Sequence, residues 1–426
     1  MDCRGRTTTL FACRTAPVIN SMTEKVRDFW KPGTILAALL IAVVLPAGIV
    51  SASETSPEVA WNVTFAPENI SKFDAVAPTA DGGFIALGST ITQMIEGRED
   101  LLLVKTDDQG NEAWNVRIPD MAAASVAETG DGGYIIGAYN MSTTVVNQTL
   151  ITEGTSFLIK TNAAGEEEWR QVLPEQKIST VRPTADGGYA AIGWLWNPPE
   201  SANDTTATIM KTDGDGTPAW NQTFPGLSAN AGIVTADGGY VIGGTTSPFN
   251  NDMGDGFLIR LDSDGNTLWH ENYQAPVVYD IEETDDGRFV YSGNYWYGLV
   301  DGDGEQVWLR NMEGLSGYSV TLRPSGGYVI AGTNVGSGEG FVLGTDADGT
   351  PLWSTAFTAT GVYGAASAPG GYTLAGIQFL SPDTSAAWLA GITEPVNPAP
   401  TAAPGFGAAA AGAALLLLFA GRKRRG

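Results

Sequence analysis

WNQTF (220–224), VTADGGYVIGGTT (234–246) and GFLIRLDSDG (256–265) are the clearest copy of a unit that this chain writes seven times. Within it, Asp237-Gly238-Gly239 separates two β-rich runs, and Asp-Gly between apolar runs supplies the positive φ of a tight hairpin. A second turn, Asp262-Ser263-Asp264-Gly265, comes just before the next tryptophan. Short runs such as YVIGG, FLIRL and LWHENY lie between these turns, and no helical period interrupts them. The unit therefore reads as four short antiparallel strands.

Outward from this copy, tryptophans at 61, 114, 169, 220, 269, 308 and 353 register the repeat, with spacings of 53, 55, 51, 49, 39 and 45 residues. Four-stranded units at such a period build an all-β propeller, here with seven blades. The first turn is Asp-Gly-Gly-aromatic at Asp81, Asp131, Asp186 and Asp237, and is degenerate at Asp286, Ser325 and Pro369. Named A to D from the axis outward, the strands begin with a D strand at Trp61 and end with a C strand reaching Thr393. The N-terminal strand is thus expected to complete the last blade and leave no open edge. Both turn types fall on one face. The connections 89–100, 139–156, 194–206 and 245–255 fall on the other and read as long variable loops, where binding is expected.

The chain divides into an N-terminal extension and signal peptide (1–53), the propeller (54–394), a Pro/Ala-rich linker with a sorting motif (395–406) and a hydrophobic segment with a basic tail (407–426). Lys25, Arg27 and Lys31 precede an apolar run from Gly33 to Ala52 and small residues suited to cleavage, as in a secretory signal; the other reading is a membrane span. Translation starts at Met1 or Met22. Both cysteines, Cys3 and Cys13, lie in this extension, so a mature protein has no disulfide. From Glu54 to Phe406 there are 13 Lys and Arg against 44 Asp and Glu, a net charge of −31, which argues against a nucleic-acid partner.

Near the C-terminus, Pro404-Gly405-Phe406, the apolar stretch 407–420 and the cluster Arg422-Lys423-Arg424-Arg425 resemble the archaeal PGF-type sorting signal. That resemblance implies removal of the tail and lipid attachment at the cell surface; a plain membrane anchor is the other reading. The repeats look like those of secreted β-propeller surface proteins, and their strand-turn-Gly-x-x-x-Trp part is similar to the quinoprotein dehydrogenase repeat. The Thr-Gly-Lys of that family's turn is absent, and seven units stand where eight are usual. These departures weaken a carry-over of pyrroloquinoline quinone, and the expectation is no cofactor, with calcium left open.

His270 is the only histidine, which excludes His-based triads and multi-His metal sites. The pairs Asp213/Asp215, Asp262/Asp264, Asp301/Asp303 and Asp346/Asp348 offer hard oxygen ligands for calcium. They lack a third acidic position and a distal bidentate Glu, which favours hairpin turns capped by Asp side chains. Ligand-binding candidates are the aromatics Trp194 and Trp196 in blade three, with Phe249, Tyr279, Tyr295, Trp296 and Tyr297 in blades four to six. Sequons at Asn62, Asn69, Asn140, Asn147, Asn203 and Asn221 mark candidate glycan sites. Asp74, Glu128, Asp280, Glu282 and Glu283 on inner strands leave open a carboxylate-based glycosidase or polysaccharide lyase, and a quinoprotein-like dehydrogenase is a further alternative. The expectation is an exported, surface-anchored binding module of the cell envelope, with no catalytic residue singled out and an envelope polysaccharide or protein as partner.

Overall fold

The computed structural model describes residues 56–66, 70–93, 98–146, 149–174, 176–195, 205–246, 254–274 and 277–395. Those residues form strands and turns without a helix. None is therefore a helix able to cross a membrane, and the apolar runs 33–52 and 407–420 lie outside the described residues.

The repeating sheet is seen in the copy quoted above. Ser228–Val234, Tyr240–Thr245, Gly256–Leu261 and Thr267–Tyr273 pair in that order, all antiparallel. The same meander runs through Ala122–Glu128 to Glu167–Pro174 and through Gln176–Pro183 to Pro218–Pro225. At the chain ends, Val59–Phe65 lies antiparallel on Thr384–Thr393, with Val59 opposite Ile392 and Phe65 opposite Ala387. Thr384–Thr393 also meets Ile70–Pro78 through one parallel bridge, Ile70 to Ser385, so the strands at the two ends of the chain run together in one eight-stranded sheet.

Two long strands each serve twice. Phe289–Val300 pairs through Phe289 to Gly293 with Val278–Glu283, and through its second half with Gln306–Leu322. A Cβ on Gly298 would stand 2.5 Å from the Tyr291 ring, so the strand folds back on itself, and the reversal falls at Tyr295, where φ is +65°. Gln306–Leu322 then passes its last residues, from Leu315, to Tyr328–Asn334.

Two stretches expected as loops are largely strand. Residues 139–156 make a long hairpin, paired from Tyr139–Ser156 out to Val146–Thr149, and 89–100 pairs as far as Gln93–Arg98. Threonines and valines in STTVV suit a pleated backbone better than a loop.

The Asp-Gly turns form as expected, since Gly82, Gly132, Gly187 and Gly238 all have φ between +80° and +89°. Each also carries a staple. Asp81 Oδ1 accepts from Thr79 Oγ1 at 2.6 Å and from the Gly83 amide at 3.0 Å, while Lys105 Nζ reaches Oδ2 at 2.9 Å. Lys160, Lys211 and Arg260 repeat that pairing with Asp131, Asp186 and Asp237.

Core side chains lie between neighbouring sheets. Ile85, Leu87 and Leu103 meet Tyr134, Ile136 and Ile159 of the next sheet, each residue contributing about 1.5–3 kcal/mol on burial. Phe73, Ala86 and Leu102 near the start of the chain pack with Ala375, Ala387 and Leu389 near its end. The register tryptophans bind sheet to sheet, Trp220 edge-on to Tyr240 at 5.5 Å and Trp114 to Tyr134 at 5.8 Å.

Candidate functional site

Every innermost strand carries one extra residue against its neighbour. The irregularity leaves Asp74, Ala124, Ser179, Asn230, Tyr279, Tyr318 and Tyr363 without a partner in register. A β-bulge bends its strand and re-aims the unpaired side chain. All seven of these residues line one cavity of about 310 Å³, together with Lys72, Glu99, Tyr139 and Lys177. The cavity sits at the end of the inner strands away from the Asp turns.

Its wall has two chemistries. Tyr279, Tyr318 and Tyr363 form an arc with ring centroids 5.3 Å and 5.7 Å apart. Beside Tyr363, with Nζ 5.9 Å from the centre of its ring, Lys72 donates to Asp74 Oδ1 at 2.6 Å. Burial pulls the Lys72 ammonium toward deprotonation, but Asp74 and then Glu99 outweigh it and hold the proton. Lys177 differs. Its Nζ lies 4.9 Å from the Tyr139 ring and 5.7 Å from that of Trp194, and burial, reinforced by Lys72, lowers its pKa.

Further down the inner strands lies a second polar group. Asp280 Oδ2 accepts from the Val320 amide at 3.0 Å and from Ser319 Oγ at 3.1 Å. Arg182 Nη1 donates to Ser125 Oγ at 3.2 Å. Burial, then the neighbouring Asp280, pushes the Glu282 carboxyl up to about 7, with Arg182 opposing.

Of the aromatic candidates, the structure brings only Tyr279 to the cavity wall, with Trp194 half-buried beside Lys177. Tyr297 is 1 % exposed, stacks edge-on against Trp308 at 5.7 Å and donates its hydroxyl to Gly349 O at 2.7 Å, so it is core. Trp296 packs against the same sheet interface as Trp269 and Leu309, and Tyr295 occupies the strand reversal. Alternation along a strand sends neighbouring side chains to opposite faces, so these three aromatics do not form one surface. Trp196 and Phe249 lie outside the described residues. Asn62, Asn140 and Asn221 are exposed, Asn140 donating to Asp120 O, and Asn69, Asn147 and Asn203 lie outside the described residues.

The inner-strand carboxylates also divide. Glu128 accepts from the Ala80 amide and Glu283 from the Ala236 amide, each at 2.7 Å, so both clamp a turn of the adjoining sheet. Asp280 and Glu282 share one strand rather than facing each other across a cleft. In the Asp-x-Asp-Gly turns, the first carboxylate caps its own backbone. Asp213 Oδ1 accepts from the amides of Asp215 and Thr217, Asp262 from Asp264 and Asn266, Asp301 from Asp303 and Glu305, Asp346 from Asp348 and Thr350. Asn162 Oδ1 accepts from Ala164 and Glu166 in the same way, so the role needs an acceptor and no negative charge. Among the described residues no group of three or more His, Cys, Asp or Glu is placed to hold a metal.

Lys72, Lys177, Ser179, Asn230, Tyr318 and Tyr363 were missed from the sequence. The bulge is a backbone feature, and the seven residues that share it have no residue type in common. A positional signal exists: six stand seven residues before the Asp or Ser of the following turn, and Tyr363 stands six before Pro369.

Sheets of this kind arranged about inner strands define a β-propeller, and two solved structures share the fold. The "WD40 beta propeller domain of Doa1" superposes with a TM-score of 0.52 at 13% identity, covering 79% of this chain and 97% of that one. The "Dos1 propeller" gives 0.51 at 11% identity, covering 80% and 96%. The chain belongs to the PQQ-like repeat family whose model is described as "Outer membrane protein assembly factor BamB", matched over residues 156–281 and 205–368, together half of its length. No curated protein matches its sequence. The cavity does not fit the family's namesake quinone, a tricarboxylate, because Lys72 is already paired with Asp74 and Glu99 adds a second negative group.

Proposed function

We propose that the chain is a seven-bladed propeller, closed by its N-terminal strand, that binds an envelope polysaccharide in its axial cavity as a module exported to and anchored at the cell surface. Counting the two doubly used strands twice yields seven four-stranded units. Seven core clusters fit that count, including the one joining the start and end of the chain. The single observation that carries the binding reading is the convergence of all seven inner-strand bulges on one cavity. Bulges are retained where a side chain must be aimed. Export and anchoring rest on the terminal segments and on the acidic surface.

A mixed aromatic and polar wall suits a polyol, whose ring faces stack on tyrosines while its hydroxyls take up hydrogen bonds. The full chain screened against envelope polysaccharides is expected to bind without turning them over. Tyr318→Ala is expected to weaken that binding roughly thirtyfold or more, as loss of an aromatic anchor does, with the melting temperature unchanged. Normal binding by Tyr318→Ala overturns the reading, and capture of an envelope protein instead moves the partner to the protein class. The surface form is expected to lack Arg422 to Arg425, and recovery of that basic peptide by mass spectrometry overturns the processing reading.

A further inference from the structure

Resting on the saccharide-binding reading above, the cavity's charges define the ligand more narrowly. Two lysines reach it in a chain of net charge −24. Lys72 is committed, held by Asp74 at 2.6 Å with Glu99 close enough to favour its charge. Lys177 has no hydrogen bond or ion pair among the described residues; its Nζ lies over the rings of Tyr139 and Trp194, and Asp74, already bonded to Lys72, acts on it only through space. An ammonium carries three donors, and cation–π contact satisfies none of them as a carboxylate does. Burial, then Lys72, lowers its affinity for the proton, and Asp74 offsets this only in part.

Three lining tyrosines add shape. Tyr279, Tyr318 and Tyr363 present an aromatic arc whose hydroxyls make no hydrogen bond within the described residues. Asn230 gives a long contact of 3.4 Å through its amide nitrogen and keeps its oxygen available. A volume of about 310 Å³ is at the small end of ligand pockets, which run roughly 300–1,000 Å³. That suits about one sugar ring, with the rest of a chain leaving through the mouth. Since Asp74 and Glu99 also border the space, a singly charged group is accommodated and a dianion is repelled.

We propose that the cavity recognises an acidic saccharide, the carboxylate of one uronic-acid residue pairing with Lys177 while its ring lies against the Tyr279–Tyr318–Tyr363 arc. Calorimetry on the full chain, with a short oligogalacturonate and the same oligosaccharide after carboxyl reduction, tests this. The acid is expected to bind about tenfold or more tighter than the reduced form, the worth of a charge-assisted hydrogen bond. Lys177→Met and Lys177→Gln are expected to bring the two forms to equal affinity with the melting temperature unchanged, and Lys177→Arg to keep most of the preference. Equal binding of the two forms, a preference that survives both neutral variants, or tighter binding of a sulfated oligosaccharide overturns the proposal. If the reduced form binds and Tyr318→Ala abolishes it while no acid preference exists, the module reading stands and the uronate falls. If neither form binds, both fall.

Discussion

The indole of Trp61 lies on Gly110, its nearest ring carbon 2.5 Å from where a Cβ on that glycine would stand. Trp61 belongs to the strand at the start of the chain and Gly110 to the turn between Arg98–Thr106 and Glu112–Ile118, where φ is +79°. Trp114, Trp169, Trp220, Trp269 and Trp308 repeat the contact on Gly165, Gly216, Gly265, Gly304 and Gly349. A side chain here meets two penalties, left-handed strain of roughly 1–2 kcal/mol and displacement of the ring. Gly110→Ala is therefore expected to lower unfolding free energy by more than about 2 kcal/mol in urea titrations. Gly130→Ala, with nothing within 4 Å and no positive φ, is the control expected near zero. Trp220→Ala is expected to lose roughly 3–5 kcal/mol.

Glu394 holds the exit of the chain. Its Oε1 accepts from Arg323 Nε at 2.9 Å, Arg323 Nη2 at 2.6 Å and Ser325 Oγ at 2.8 Å, and Tyr372 donates to Oε2. The Arg323 side chain is only 1 % exposed, so removing the carboxylate leaves a buried cation without it. Ending the chain after Thr393 is expected to cost about 3–5 kcal/mol relative to ending it after Pro395. Glu394→Gln should fall between the two. Melting temperatures of the three forms decide it.

Glu282 makes a pH signature. Its carboxyl titrates near 7 in the fold against an ordinary value of 4.5, so the folded state holds the proton more tightly. Stability from this group is fully present below about 4.5 and is lost as pH rises through about 7. The melting temperature of Glu282→Gln minus that of the parent is expected to grow across this window and to be flat above it. Asp81 and Asp186 work in the other direction. Thr hydroxyls, then Lys105 and Lys211, hold them down to about 2, so their contribution is lost as pH falls from about 4 to about 2.

Deleting residues 54–66 removes the partner of Thr384–Thr393 and exposes an apolar edge. The shortened chain is expected to associate or aggregate by light scattering. A monomer melting within a few degrees of the parent overturns closure by this strand.

The tryptophan register and both turns were legible because each needs a particular residue type, a large ring over a left-handed glycine. The pairing of Trp61's strand with the last sheet followed from an unpartnered strand at each end. The cavity was not legible in the same way, since bulges need no residue type in the bulged strand. Their trace is in the neighbour. Gly88, Gly193, Gly244, Gly293, Gly332 and Gly376 each stand four residues after the turn's aromatic, and a Cβ there would lie 1.7–1.9 Å from an inner-strand carbonyl oxygen. Ala138 fills that place in the remaining sheet. Residue type does not tell an aromatic on the loop face from one packed between sheets, and in the YWY run Tyr297 is in the core.

The chain enters and leaves the domain side by side. Thr393 N donates to Glu58 O at 2.9 Å, and Glu394 N to Gly370 O at 2.8 Å, beside the Asp-type turns. The cavity opens at the other end of the inner strands. On a chain trimmed to residues 56–395, a fluorophore, affinity tag or solid support joined at either end would therefore attach on the side away from the mouth, leaving ligand access unchanged.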